Sequence, residues 1–129
     1  MTAHMKILSK LSPELFNRVR ESMTPSMVEI DKIPSIYDQF SNTFALEKDP
    51  LMKKLKFIAI ILKLYSPASL IAEVRVKDGV CAKISSSLGY NDVSNVSHMI
   101  SRARAYMNVA SFRDDVNSVV NWVMEKEVA

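Results

Sequence analysis

Glycine is nearly missing from this chain, two residues in 129 where an ordinary protein has about 7%. Sheet proteins with many tight turns need more of it, and so do the loops that cradle phosphates. The composition therefore favours helices and argues against a nucleotide-binding fold. Cysteine is scarcer still. The single Cys81 excludes an intramolecular disulfide and a cysteine-rich metal site, and it suits a reducing, cytoplasmic compartment. The only histidines, His4 and His98, are remote in sequence and lack ligand spacing, so no metal is expected. A long apolar run is also absent. Leu55 to Leu64 is the most apolar stretch, roughly half the ~20 residues a bilayer crossing needs. Lys53, Lys54, Lys56 and Lys63 punctuate it. It reads as the central buried helix of a soluble protein rather than a membrane span. The opening MTAHMKILSKLSPEL lacks the apolar core of a signal peptide.

The constellations that carry enzyme chemistry are missing as well. A nucleophilic cysteine–histidine pair would have to be Cys81 and His98, yet Cys81 falls near the buried side of its helix. Asp114 and Asp115 are adjacent, and neighbouring helical residues point about 100° apart, which argues against a shared acid–base site. No enzyme activity and no cofactor are expected.

What is present points to one all-α domain, residues 1–129. Apolar residues make up 48% of the chain and charged residues 24%, enough to bury a core without staples. Three starts of the same kind, Ser12-Pro13, Asp49-Pro50 and Ser66-Pro67, place a capping side chain before a proline, which fits the first turn of a helix. Six or seven helices follow. The first runs from Ser12 with Leu15, Val19 and Met23 as its apolar stripe. Residues 24–34 form a connecting loop, and Ser35 caps a helix carrying Ile36, Phe40, Phe44 and Leu46 inward. The long apolar helix spans about 50–65. The next carries Leu70, Ile71 and Val74 until Asp78-Gly79 stops it, with Gly79 as a left-handed C-terminal residue. The last starts after Ser111 with Asp114 and Asp115 in its first turn, and buries Phe112, Val116, Val119, Val120 and Val123.

Charge is uneven beneath a formal net of +3. Residues 1–49 hold six basic and seven acidic side chains, residues 50–113 ten and three, and residues 114–129 one and four. A cationic surface of this kind attracts phosphate backbones. The same lysines also serve to solvate the rim of a buried helix.

The basic half contains GVCAKISSSLGYNDVSNVSHMISRARAYM, residues 79–107. Val80, Ile84 and Leu88 brace one short helix, with small Ser85 at a close approach, and Gly89 marks the corner. Asn91, Asp92 or Ser94 caps a second helix over 93–107. Val96, Ile100, Ala103 and Met107, helped by Met99 and Tyr106, set its core stripe. The opposite face is Ser94, Asn95, His98, Ser101, Arg102 and Ala105. This stretch resembles the helix-turn-helix family of bacterial and phage DNA-binding proteins. The corner is one residue longer than the family's, since Asn95 stands where an apolar anchor is usual and Val96 takes that role. LYSPASL and SFRDDV nearby are similar to small uncharacterised proteins of phages and mobile elements in Bacteroidetes. The resemblance implies a regulator that binds double-stranded DNA in a bacterial or phage-infected cell. Asn95, His98, Ser101 and Arg102 would face base edges, and Arg104, Lys83, Lys77 and Arg75 would hold phosphates. A homodimer is expected, seated on the N-terminal or the final helix. The competing reading is a helical assembly or adaptor protein, terminase-like or a particle component, whose basic face meets a protein partner.

Overall fold

A computed structural model describes residues 2–45 and 47–128, with all regular structure helical. Eight α-helices form: α1 (Ala3–Leu11), α2 (Pro13–Met23), α3 (Ile33–Thr43), α4 (Pro50–Tyr65), α5 (Pro67–Ile71), α6 (Val80–Ser87), α7 (Ser94–Tyr106) and α8 (Ala110–Val128). A single 3-10 turn, Ile30–Lys32, leads into α3.

The centre is α4. Asp49 Oδ1 accepts from the backbone N–H groups of Leu51 and Met52, and Pro50 occupies the first turn. From Leu55 to Leu62 every residue is buried, followed by Leu64 and Tyr65. A helix apolar on all sides must be surrounded. α7 and α8 lie along it, α5 folds back on its end, and α3 and α6 pack against each other beside it. Tyr37, Phe40, Phe44 and Phe57 interlock at the α3–α4 contact with ring centroids 4.9–5.7 Å apart. α6 lies on α3, and α7 on α4 and α5. α7 and α8 meet at their corner, where the Tyr106 and Phe112 rings sit 5.4 Å apart.

Several boundaries depart from the sequence reading. α1 is an eighth helix, capped by Thr2, whose hydroxyl accepts from the Met5 N–H. α3 starts at Ile33 rather than after Ser35, because the 3-10 turn feeds directly into it and Pro34 is tolerated in a first turn. α5 ends at Ile71, far short of Asp78. Ser66 does not cap it, because its hydroxyl accepts from the Lys77 N–H and ties the following segment back to the helix start. In that segment Val74 is exposed and Val76 half-buried, an extended β-branched stretch. Gly79 has the expected positive φ of 85°, but it opens α6 instead of closing α5. A Cβ there would lie 2.7 Å from Ile30 Cδ1, the movable end of a side chain, so the left-handed backbone is the stronger demand for glycine. α8 starts at Ala110, which leaves Asp114 and Asp115 outside its first turn. The expected α2 stripe does not bury: Leu15 is 47% and Met23 51% exposed. The inward position assigned to Leu46 lies outside the described residues.

One buried cation pins the periphery to α4. Lys56 is 7% exposed, and its Nζ lies 2.9 Å from Glu47 Oε2 and 2.8 Å from Asp115 Oδ2. Burial opposes its charge. The Asp115 and Glu47 carboxylates outweigh burial, and its pKa stands above the ordinary lysine value. The far end of α4 holds the loop between α2 and α3. Ser26 and Met27 both donate backbone N–H bonds of 2.9 Å to the Leu64 carbonyl, satisfying a C-terminal group the helix leaves unpaired. The Tyr65 hydroxyl donates to the Glu29 carbonyl at 2.8 Å.

Two predictions follow from these anchors. Removing both carboxylates (Glu47→Ala with Asp115→Ala) strands a buried ammonium, whereas Lys56→Met leaves an apolar side chain in apolar surroundings. The double variant should therefore melt well below wild type and Lys56→Met at or near it, as read by circular dichroism. Burial, then the Glu127 and Glu29 carboxylates, push the Tyr65 phenol up to about 12. Its folded value thus lies above the unfolded value of about 10. The stability it contributes is intact below the unfolded value and is lost as pH climbs through the folded one. Tyr65→Phe should cost about 1 kcal/mol at neutral pH, and the gap to wild type in urea midpoint should close in strong alkali.

Candidate nucleic-acid interface

The corner between α6 and α7 is built by hydrogen bonds that the sequence specifies. Tyr90 N–H donates to the Ser85 carbonyl at 2.9 Å and Gly89 N–H to the Ser86 carbonyl at 3.2 Å, a Schellman pair that needs a left-handed residue between helix and exit. Gly89 supplies it with φ 79°, and a Cβ there would meet nothing within 4 Å, so conformation alone demands the glycine. Ser85, only 4% exposed, donates its hydroxyl across the corner to the Tyr90 and Asp92 carbonyls. Asp92 Oδ1 then accepts from the Ser94 N–H at 2.9 Å, capping α7. Val80 and Ile84 are fully buried and Leu88 half-buried on the bracing helix.

On α7 the buried set is Val96, Met99, Ile100 and Ala103. Ser94, Asn95, Ser97, His98, Ser101, Arg102 and Ala105 are exposed. The four side chains expected at base edges (Asn95, His98, Ser101 and Arg102) therefore share one accessible face of a single helix. Arg102 makes no ion pair with a described carboxylate.

The four expected phosphate holders are placed differently. Arg104 turns inward: its Nε and Nη2 donate to the Ser69 carbonyl at 3.0 and 2.8 Å, clamping α7 to α5. Lys83 Nζ lies 3.0 Å from Asp31 Oδ1, beside the 3-10 turn. Arg75 pairs with Asp78 at 2.7 Å in a fully solvated position, where such a pair is worth little and exchanges readily. Lys77 is exposed, its ammonium 3.4 Å from the Val28 carbonyl. The structure thus gathers the base-facing set and disperses the phosphate set. A cation the sequence reading left out stands closer to the corner. Lys54, from α4, places its Nζ 5.1 Å from the Tyr90 ring centroid. Its only signal in the sequence was membership of the lysine-punctuated helix, which says nothing about the corner it reaches.

Cys81 is half-buried, and burial raises its thiol pKa, the opposite of what a nucleophile needs. Among the described residues, no group of three or more His, Cys, Asp and Glu side chains comes together to hold a metal. No helix among them is long and apolar enough to cross a membrane.

The arginines can be separated experimentally. Arg104→Ala removes two charge-assisted bonds to a backbone carbonyl and should cost about 2 kcal/mol, lowering the melting temperature by several degrees. Arg102→Ala should leave it unchanged. Comparison with protein-family models, curated proteins and solved structures finds no match to this chain.

Proposed function

We propose that this protein binds double-stranded DNA without catalysis, laying the outer face of α7 into the major groove as a regulator of phage or mobile-element type. The observation that supports this reading is the uncovered face of α7. Asn95, His98, Ser101 and Arg102 project from a helix whose start is fixed by the Gly89 corner and the Asp92 cap. Short polar chains let a helix backbone approach the bases, and Asn and Arg suit adenine and guanine edges respectively. Phosphate contacts fall to Lys54 and Lys77, with Arg75 recruited by exchange of its solvated partner. Arg104 acts as a structural clamp in this scheme, and Lys83 stays with Asp31.

One such helix reads few base pairs, so the reading calls for a two-fold pair of copies. The surface best suited to it is the α1–α2 hairpin. Neither helix buries a single residue within the chain, and helices of nine and eleven residues are marginal alone in water. Ile7 is 57% and Leu11 79% exposed, an apolar surface that a second copy would cover.

Those same side chains favour a second reading, a helical assembly or adaptor protein whose partner is another protein. Binding of a labelled random-sequence duplex at rising salt, with mass measured by light scattering, separates the two. DNA binding through about three phosphate contacts per copy gives a log–log salt slope near −3 for each copy engaged. Asn95→Ala with Arg102→Ala should abolish that binding without moving the melting temperature. A dimer that binds no duplex at low salt would eliminate the DNA reading and leave the assembly one.

A further inference from the structure

A cleft of about 770 Å3 opens beside α7, within the ~300–1,000 Å3 typical of small-molecule sites. Five helices border it. α2 contributes Glu21 and Ser22, α5 Leu70 and Ile71, α7 Ser101 and Arg104, and α8 Val120. From the central helix comes Lys63, the one residue of the 55–65 stretch that is not buried.

Lys63 is unlike the other cation of that stretch. Lys56 has two carboxylates, whereas no described carboxylate pairs with Lys63. Its hydrogen-bond partner is the neutral Asn117 Oδ1. An ammonium carries three donors and is costly to desolvate without a counter-charge. Leu70, Ile71, Met107 and Val120 line the same cleft, beside the hydroxyls of Ser22, Thr24, Ser26 and Ser101. Arg104, with two of its donors on Ser69, adds a second positive charge to the wall. Glu21 and Glu73 also line the cleft, both exposed, and they oppose ligands with several negative charges.

We infer that this cleft binds a small amphiphilic monocarboxylate, its carboxylate seated on Lys63 and its hydrocarbon body against Leu70, Ile71, Met107 and Val120. The inference does not depend on DNA binding. Burial holds the Lys63 pKa below the ordinary lysine value, and a bound carboxylate would draw it back up by favouring the charged form.

Octanoate is a suitable probe, with octanol, octylammonium and inorganic phosphate as comparators on the full chain. Methyl NMR should show octanoate shifting Leu70, Ile71, Met107 and Val120 together in a saturable way. The Lys63 side-chain titration should move to higher pH, and phosphate should do nothing. Lys63→Met should weaken octanoate by about tenfold or more, through loss of a charge-assisted pair, while leaving octanol unaffected. Lys63→Met should also be at least as stable as wild type. Any of three results would overturn the assignment. These are equal binding of octanoate, octanol and octylammonium, no response of the four methyl-bearing residues at saturating probe, or octanoate binding that survives Lys63→Met. Should that variant fail to fold, the comparator series and the Lys63 titration in the wild-type chain decide the matter unaided.

Discussion

A helix that is buried on every side leaves its neighbours little choice. From Leu55 to Leu62 α4 offers no solvent face, and each fully buried Ile or Leu contributes about 1.5–3 kcal/mol relative to exposure. Surrounding it is the dominant favourable term available to this chain. Two lysines, Lys56 within that stretch and Lys63 just after it, show what such burial costs. Lys56 is tolerated because Glu47 and Asp115 converge on it from the preceding loop and from α8. That ion-paired group thereby fixes where those elements lie. Lys63 is tolerated because a cleft reaches it. The carbonyls at the end of α4 are used with similar economy, Leu64 holding the loop of residues 26–27.

The same demand redistributes the positive charge that the sequence concentrates in residues 50–113. Counted along the chain, that half looks like a cationic face. In space Lys56 and Lys63 point into the protein's own packing, Arg104 clamps α5, and Lys83 and Arg75 sit beside Asp31 and Asp78. Local net charge overstates a binding surface whenever the partners come from distant segments. Asp31 is 52 positions from Lys83 and Asp115 is 59 from Lys56. No window along the sequence contains both members of either pair.

Local signals were legible where local physics decides the outcome. The Asp49-Pro50 start, the Gly89 corner and the α7 stripe all depend on residues within one or two turns, and all appear as read. The errors occur where a remote group competes for a local one. Ser66 looked like a cap, yet its hydroxyl bonds Lys77 and α5 stops after five residues. Leu15 and Met23 keep a helical spacing that predicts burial, but the described residues leave each about half exposed. Periodicity reports that a face is apolar and is silent on what packs there. Of the candidate site, the exposed side of α7 was readable because its complement, the buried stripe, is local. The phosphate set was not, since Arg104, Lys83 and Lys77 each answer to a carbonyl or carboxylate on a remote segment.

α7 therefore stands between two surfaces of different character. Its outer face is wet and polar, and Ser101, at the edge of that face, joins Arg104 and Ala105 in one wall of the cleft that reaches Lys63. The clamp from Arg104 to Ser69 joins the helix to α5, whose Leu70 and Ile71 form another wall. A molecule in the cleft would thus touch Arg104 and, on α5, the residues that follow the buried Ser69. Touching is not coupling, however. An occupant shifts α7 only to the extent that it binds one position of the helix better than another. Met99, Ile100 and Ala103 hold α7 in the core, so a sliding motion would disturb close packing, which resists graded deformation. The element with freedom to respond is α5, five residues long with no side-chain cap and an exposed extended segment after it. Apart from Ser101, which both surfaces share, any influence of the cleft on the outer face of α7 must then run through α5 and the Arg104 guanidinium rather than through the core.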